Sequence, residues 1–346
     1  MAAPKATAQP QLAMLWTNED GDSVRCNLCA FRCLIRPGRV GICQVRKNVG
    51  GVLYSLNYHA VTAAHVDPIE KKPLFHFLPG SRILSLACAG CNFRCAFCQN
   101  WQISQAPREL KAVAGESIPP AEMVRSADRH RCESMAYTYT EPTIFMEYAY
   151  DCAKLAHERG LKNVFVSNGF ATPEAIDTIA PYLDAINVDL KAFSDRYYRT
   201  VTKAMLEPVL ATLRHLVHRT NIWVEVTTLL IPGANDSDPE LGQIARFIAQ
   251  ELSVDVPWHL SRFHPDYKMT DREATPAETI RRAVEIGRSA GLRYVYAGNL
   301  WGDDNESTRC HACGRMLIRR HGYTIQANDL ADGKCPDCGT PVAGVF

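Results

Sequence analysis

The stretch that most constrains this chain is Cys91-Asn92-Phe93-Arg94-Cys95-Ala96-Phe97-Cys98, because three thiols spaced C-x3-C-x2-C in one short loop can all turn toward a single metal centre. Cysteine thiolates are the usual ligands of iron-sulfur clusters, and a four-iron cluster normally takes four of them. No fourth cysteine stands in line. If Cys91, Cys95 and Cys98 hold three irons of a [4Fe-4S] cluster, the fourth iron keeps an open position, as catalytic zinc sites do and closed structural ones do not. These three are the candidate catalytic residues. The competing reading is a zinc knuckle or three buried cysteines without a metal, and the strand-like residues 83–87 just upstream weigh against it.

With 346 residues, the chain exceeds the roughly 100 to 200 residues of one ordinary domain, which suggests a large α/β domain with appended modules. The formal charge is +1, and no apolar run approaches the ~20 residues that cross a bilayer. A cytoplasmic protein without a membrane partner is expected. The Ala, Pro and Gln-rich start lacks the apolar region of a signal peptide, so residues 1–20 are expected to form a flexible tail. Twelve of the fourteen cysteines fall in three compact groups, a pattern of metal binding in a reducing compartment rather than of disulfides. Cys132 and Cys152 stand apart and read as buried small apolar residues, as Cys88 does on balance.

Two further groups flank the loop. Cys26, Cys29, Cys33 and Cys43 supply four thiols within eighteen residues, enough for tetrahedral zinc, with an auxiliary iron-sulfur cluster as the alternative. No acidic residue occurs between Asp22 and Asp67, while Arg25, Arg32, Arg36, Arg39, Arg46 and Lys47 crowd the same segment; their expected task is to neutralise the thiolates. At the other end, Cys310-x2-Cys313 and Cys335-x2-Cys338 lie 21 residues apart, a zinc-ribbon arrangement. Residues 67–80 are dense in polar groups beside aromatics, and Glu70, Lys71, Lys72 and His76 are expected to be either solvated or turned toward the site. The division expected is a tail (1–20), a four-cysteine metal-binding module with connector (21–80), a barrel (81–302) and a zinc ribbon (303–346).

From residue 82 onward strand-like and helix-like segments alternate, the signature of βα units and a parallel sheet. Six or more strands fit a partial (β/α)6 TIM-like barrel, in which chemistry sits at the C-terminal strand ends. Polar residues follow five of them: 138–142, 167–169, 189–191, 232–236 and 262–264.

The C-x3-C-x-aromatic-C pattern, with Phe97 as the aromatic, resembles the radical S-adenosylmethionine (SAM) superfamily, and residues 80–300 resemble glycyl-radical-enzyme activases such as pyruvate formate-lyase activating enzyme. Over nearly its full length the chain resembles the AmmeMemoRadiSam-system radical SAM enzymes, on Cys26 to Arg46, Asp67-Pro-Ile-Glu-Lys-Lys-Pro73, Gly90 to Asn100, Tyr139 to Phe145 and the terminal ribbon. The resemblance implies that SAM chelates the open iron, that Glu141 of Thr140-Glu141-Pro142 accepts a hydrogen bond from its amino group, and that Lys191 of Asp189-Leu190-Lys191 pairs with its carboxylate. Asn168 and His264 would lie near the ribose. It also implies an electron donor such as flavodoxin or ferredoxin, and a small-molecule or macromolecular substrate that the residues do not identify. Two departures from activases stand out: Tyr139-Thr140 replaces their Gly-Gly, and Val166-Ser167-Asn168-Gly169 lacks the acidic residue of their Asp-Thr-Asn-Gly. A metal-binding adaptor for RNA or protein is the alternative from another class, and the near-neutral charge speaks against strong nucleic-acid affinity.

Overall fold

The computed structural model describes residues 10–300 and 304–346. It divides into two compact units, Met1–Asp67 with Arg82–Asp184 and Thr202–Ala204, and Pro68–Ser81 with Ala185–Val201 and Met205–Phe346.

In the first unit, strands β1 (Arg82–Cys88), β2 (Ser134–Tyr137) and β3 (Lys162–Ser167) run parallel, with Ser134 opposite both Ile83 and Lys162. Nearly every residue of β1 and β2 is buried, as expected of strands covered on both faces. The crossover helix α1 (Pro120–Arg129) carries charges along most of its length, and buries only Met123, Val124 and Ala127. Helix α2 (Met146–His157) follows a 3-10 turn that begins at Pro142. Helix α3 (Pro173–Ile179) starts at Thr172, whose hydroxyl accepts from the Ala175 amide at 3.2 Å, an ordinary N-cap.

In the second unit, β4 (Ala185–Asp189), β5 (Trp223–Leu230), β6 (Trp258–Arg262) and β7 (Val295–Gly298) form a parallel ladder. They are connected by helices α4 (Glu207–Arg219), α5 (Asp238–Phe247) and α6 (Ala277–Ser289). The C-terminal ribbon adds an antiparallel sheet of Thr308–Arg309, Met316–His321 and Thr324–Asn328. Among the described residues no helix is long and apolar enough to cross a membrane.

Three expectations are corrected. The tail is ordered from residue 11, since Gln11–Leu12 pairs with Val52–Ser55 and Trp16–Asn18 with Val24–Cys26. The reason is a buried ion pair: Arg46 meets Glu147 at 2.9 Å, Arg46 also donates to the Met14 carbonyl, and the Met14 amide donates to Glu147 at 2.7 Å. Residues 1–9 lie outside the described residues. Val52 to Val66 reads in the sequence as a strand pair, but its strands part company at Asn57, whose side chain donates to the Ala89 carbonyl. Val52–Ser55 stays with Arg46–Val49, while Ala60–Pro68 joins the sheet beside β1.

The 67–80 segment is the third. Glu70, Lys72 and His76 are buried, and only Lys71 of the four is exposed. The fully buried Glu225 carboxylate accepts from the Phe75 and His76 amides, the Trp223 indole and the His259 ring. Its pKa is lowered: burial alone would raise it, but the hydrogen bond and charge of His259 outweigh that cost. His76 bridges the Ala343 carbonyl and the Tyr296 hydroxyl. The segment thus builds the interior of the second unit.

Candidate radical SAM site

Cys91 follows β1 in a loop entered through Gly90, which has φ +108°. A Cβ there would stand 2.9 Å from Val45 Cγ1 and 3.3 Å from Ile144 Cδ1, so only glycine brings the loop this close to its neighbours. Cys91 accepts from the Phe93 amide at 3.4 Å, and Cys98 lies 3.3 Å from the Ser104 hydroxyl. Burial, then the nearby Glu141 carboxylate and the Cys95 and Cys98 thiols, push Cys91 well above the ordinary thiol range. Metal binding would therefore have to displace its proton. Phe97 is buried behind the loop.

The β2 and β3 ends meet this loop. The Asn168 side-chain amide donates to Asn92 at 2.8 Å and approaches Cys91 Sγ at 3.9 Å. Glu141, 1 % exposed, holds the two strand ends together. Its Oε1 accepts from the Thr143 amide and hydroxyl and from the Ser167 hydroxyl, and its Oε2 from the Asn168 amide at 2.8 Å. Burial pushes its pKa up, and these same donors oppose the shift. A carboxylate offers about four lone-pair directions, and one on Oε2 remains for a further donor.

Thr140 donates to the Cys88 carbonyl at 2.8 Å. Tyr139 holds φ +61°, a left-handed conformation uncommon for a residue other than glycine; its hydroxyl donates to Asp67 at 2.7 Å. Cys88 is fully buried, in keeping with packing. Spacing gave no hint of Ser104 or Thr143, and Ser167 stood among the strand-end polar residues without a role of its own. Asn92 Nδ2 is buried without a hydrogen-bond partner among the described residues, a donor left beside the three thiols that a sulfur-rich, negatively charged group would satisfy.

Asp189, Lys191 and His264 lie in the second unit. Lys191 Nζ pairs with Asp189 at 2.9 Å. Its backbone is fixed by Tyr198, which accepts from the amide, and by Asn235, which donates to the carbonyl at 2.6 Å. His264 is exposed.

The other two cysteine groups differ in spacing. Among the described residues, only Cys310, Cys313, Cys335 and Cys338 bring their sulfurs within 4.8 Å of one another as a group. The Cys310–Cys338 and Cys313–Cys335 separations are both 3.6 Å. That is close to the ~3.8 Å edge of a tetrahedron with metal-sulfur bonds of about 2.3 Å. Cys26, Cys29, Cys33 and Cys43 line one cavity together with Arg46 and Ile144. Burial and the neighbouring thiols push Cys29 upward, and burial pushes Cys43 up to about 12. Of the basic residues expected to serve these thiols, Arg25 pairs with Glu19 and Arg32 with Glu174, so Arg46 alone lines the cavity.

Residues 86–243 match the radical SAM superfamily. An uncharacterised protein of Methanocaldococcus jannaschii is 43 % identical over 332 residues, covering 95 % of this chain and 98 % of its own. An isethionate sulfite-lyase activating enzyme of Oleidesulfovibrio alaskensis is 25 % identical over 145 residues, covering 40 % of this chain and 46 % of its own. The crystal structure of a radical SAM methyltransferase from Sphaerobacter thermophilus shares the fold, with a TM-score of 0.51 at 21 % identity over 65 % of this chain and 68 % of that one. With its three-thiol loop at the end of a parallel strand and this match along the sequence, the chain belongs to the radical SAM superfamily.

Proposed function

We propose that the protein cleaves SAM reductively at a cluster held by Cys91, Cys95 and Cys98 and directs the resulting radical at a substrate. The observation that carries this reading is the convergence of three thiols, the Asn168 side-chain amide and the buried Glu141 carboxylate at the strand ends of the first unit. When bound, the cluster supplies the electron that splits the sulfonium, and SAM supplies the 5′-deoxyadenosyl radical. The chain's own residues bind and orient. Cys91, Cys95 and Cys98 would hold the cluster by three of its irons, which would leave the fourth for the amino and carboxylate groups of SAM. Glu141 keeps Asn168 against the cysteine loop and offers its remaining Oε2 lone pair to the SAM amino group. For Asp189, Lys191 and His264 the assignment to SAM rests on the family resemblance. Flavodoxin or ferredoxin is the proposed donor, and zinc the proposed ion of the C-terminal thiols. The anaerobically reconstituted protein with dithionite and SAM should release 5′-deoxyadenosine and methionine. Turnover that survives in Cys95→Ala, or none in wild type with a full cluster, rejects the proposal.

A glycyl-radical activase is the second reading, favoured by the activating-enzyme relative. A glycyl radical detected by electron paramagnetic resonance on a partner protein would establish it.

A further inference from the structure

We propose that Cys26, Cys29, Cys33 and Cys43 hold a second iron-sulfur cluster, ligated by protein at every iron and closed to SAM, with the buried Arg46 guanidinium as its counter-charge. The spacing of the thiols distinguishes a cluster from a single ion. A zinc ion draws four sulfurs to about 2.3 Å from itself and so to ~3.8 Å from one another, whereas thiolates on the corners of a four-iron cubane stand ~6.5 Å apart. The C-terminal thiols provide the internal contrast, since they close to 3.6 Å and these four do not gather within 4.8 Å.

Arg46 is the second, independent observation. It is 1 % exposed and lines the cavity. Nη1 is taken by Glu147 and Nη2 by the Met14 carbonyl, while Nε has no hydrogen-bond partner among the described residues. A buried guanidinium N–H left unmet is costly, and the sulfurs of a cluster are acceptors whose hydrogen bonds also tune its potential. The place is also informative. Ile144 lines the cavity and packs against Gly90, and the Cys43 carbonyl oxygen lies 3.5 Å from where a Gly90 Cβ would be. The cavity therefore adjoins the loop that begins at Cys91.

Metal analysis and Mössbauer spectroscopy of the anaerobically reconstituted full-length protein test this. About eight irons and about one zinc per chain are expected, against about four irons and two zincs if the site holds zinc. The C91A/C95A/C98A variant should keep about four irons. Its reduced signal should be unchanged by SAM, and adding Cys29→Ala should remove the iron. Four irons in the wild type, with zinc or no metal at the N-terminal thiols, overturns the proposal even if the triple variant fails to fold. The outcome is separate from SAM cleavage: absence of 5′-deoxyadenosine with eight irons present would reject that activity and leave this site standing.

Discussion

Replacing Glu141 with glutamine separates a residue that positions the site from one that only touches SAM. In the metal-free chain the carboxylate takes four hydrogen bonds, three on Oε1 and one on Oε2. Glutamine keeps the crowded side by placing its carbonyl there, which forces its NH2 against the Asn168 amide. One bond to a charged acceptor, worth about 1.5–3 kcal/mol, is lost and two donors are left facing each other. Relief of the buried charge offsets part of this, so Glu141→Gln should cost about 2 kcal/mol, and Glu141→Ala, which strands all four donors, about 3–5 kcal/mol. The assay is chemical denaturation of the apo protein combined with amide hydrogen exchange at Asn168. A 2 kcal/mol loss corresponds to about 30-fold faster exchange at that amide. SAM cleavage should fall in Glu141→Gln while cluster content holds, because Asn168 no longer rests against Cys91. Weakened SAM binding with unchanged stability and unchanged Asn168 exchange would refute the positioning argument and leave a contact role alone.

Other perturbations are as specific. His76 is held neutral, donating through Nδ1 to Ala343 and accepting from Tyr296, and burial lowers its pKa from 6.5 to about 4. Between those values the unfolded chain binds a proton that the folded chain refuses, so stability should drop by ~3 kcal/mol as pH falls from 6.5 to 4; His76→Gln should flatten that slope, and an unaltered slope rejects the assignment. Gly90→Ala should cost about 2–3 kcal/mol through its φ and the clash with Val45 and lower iron content, both read on the purified protein. Cys335→Ser should abolish metal binding at the ribbon and expose the cluster of Phe75, Tyr294, Tyr296 and Leu317, seen as loss of protection in hydrogen exchange. Tyr139→Phe, which removes the hydroxyl that donates to Asp67, should cost about 1 kcal/mol in denaturation.

What was legible in the sequence is what is local in chemistry. Three thiols within eight residues and two paired C-x2-C knuckles state their purpose by spacing, and the βα alternation reads from the buried runs of β1 to β7. The roles of the partners are not local. Glu141 was assignable to SAM by resemblance, yet its donors Ser167 and Asn168 come from the next strand, and only the folded chain shows that it ties the two together. The polar residues of 67–80 look solvated in isolation; they are buried because Glu225, some 150 residues on, accepts the amides of Phe75 and His76. Helix α1 is hard to read because its charges mask a narrow stripe of Met123, Val124 and Ala127. The ordering of residues 11–18 depends on Arg46 and Glu147, 101 positions apart.

The N-terminal module does more than sit beside the cysteine loop. Cys29 bridges to Ala171, the Ala30 amide donates to the Phe170 carbonyl, and Thr172 donates to the Asn27 carbonyl. The module is therefore stitched to the segment that follows Asn168. Phe170 lies between the two thiol groups, its ring centroid 4.7 Å from Phe31 and 5.3 Å from Phe93, and its amide donates to Asn168. Interiors packed this closely transmit displacement instead of absorbing it. Loosening of the Cys26 to Cys43 module would move Phe31, then Phe170, and with it the Asn168 side-chain amide that approaches Cys91. On this argument the first four thiols set the geometry of the next three through one phenylalanine, independently of any electron they carry.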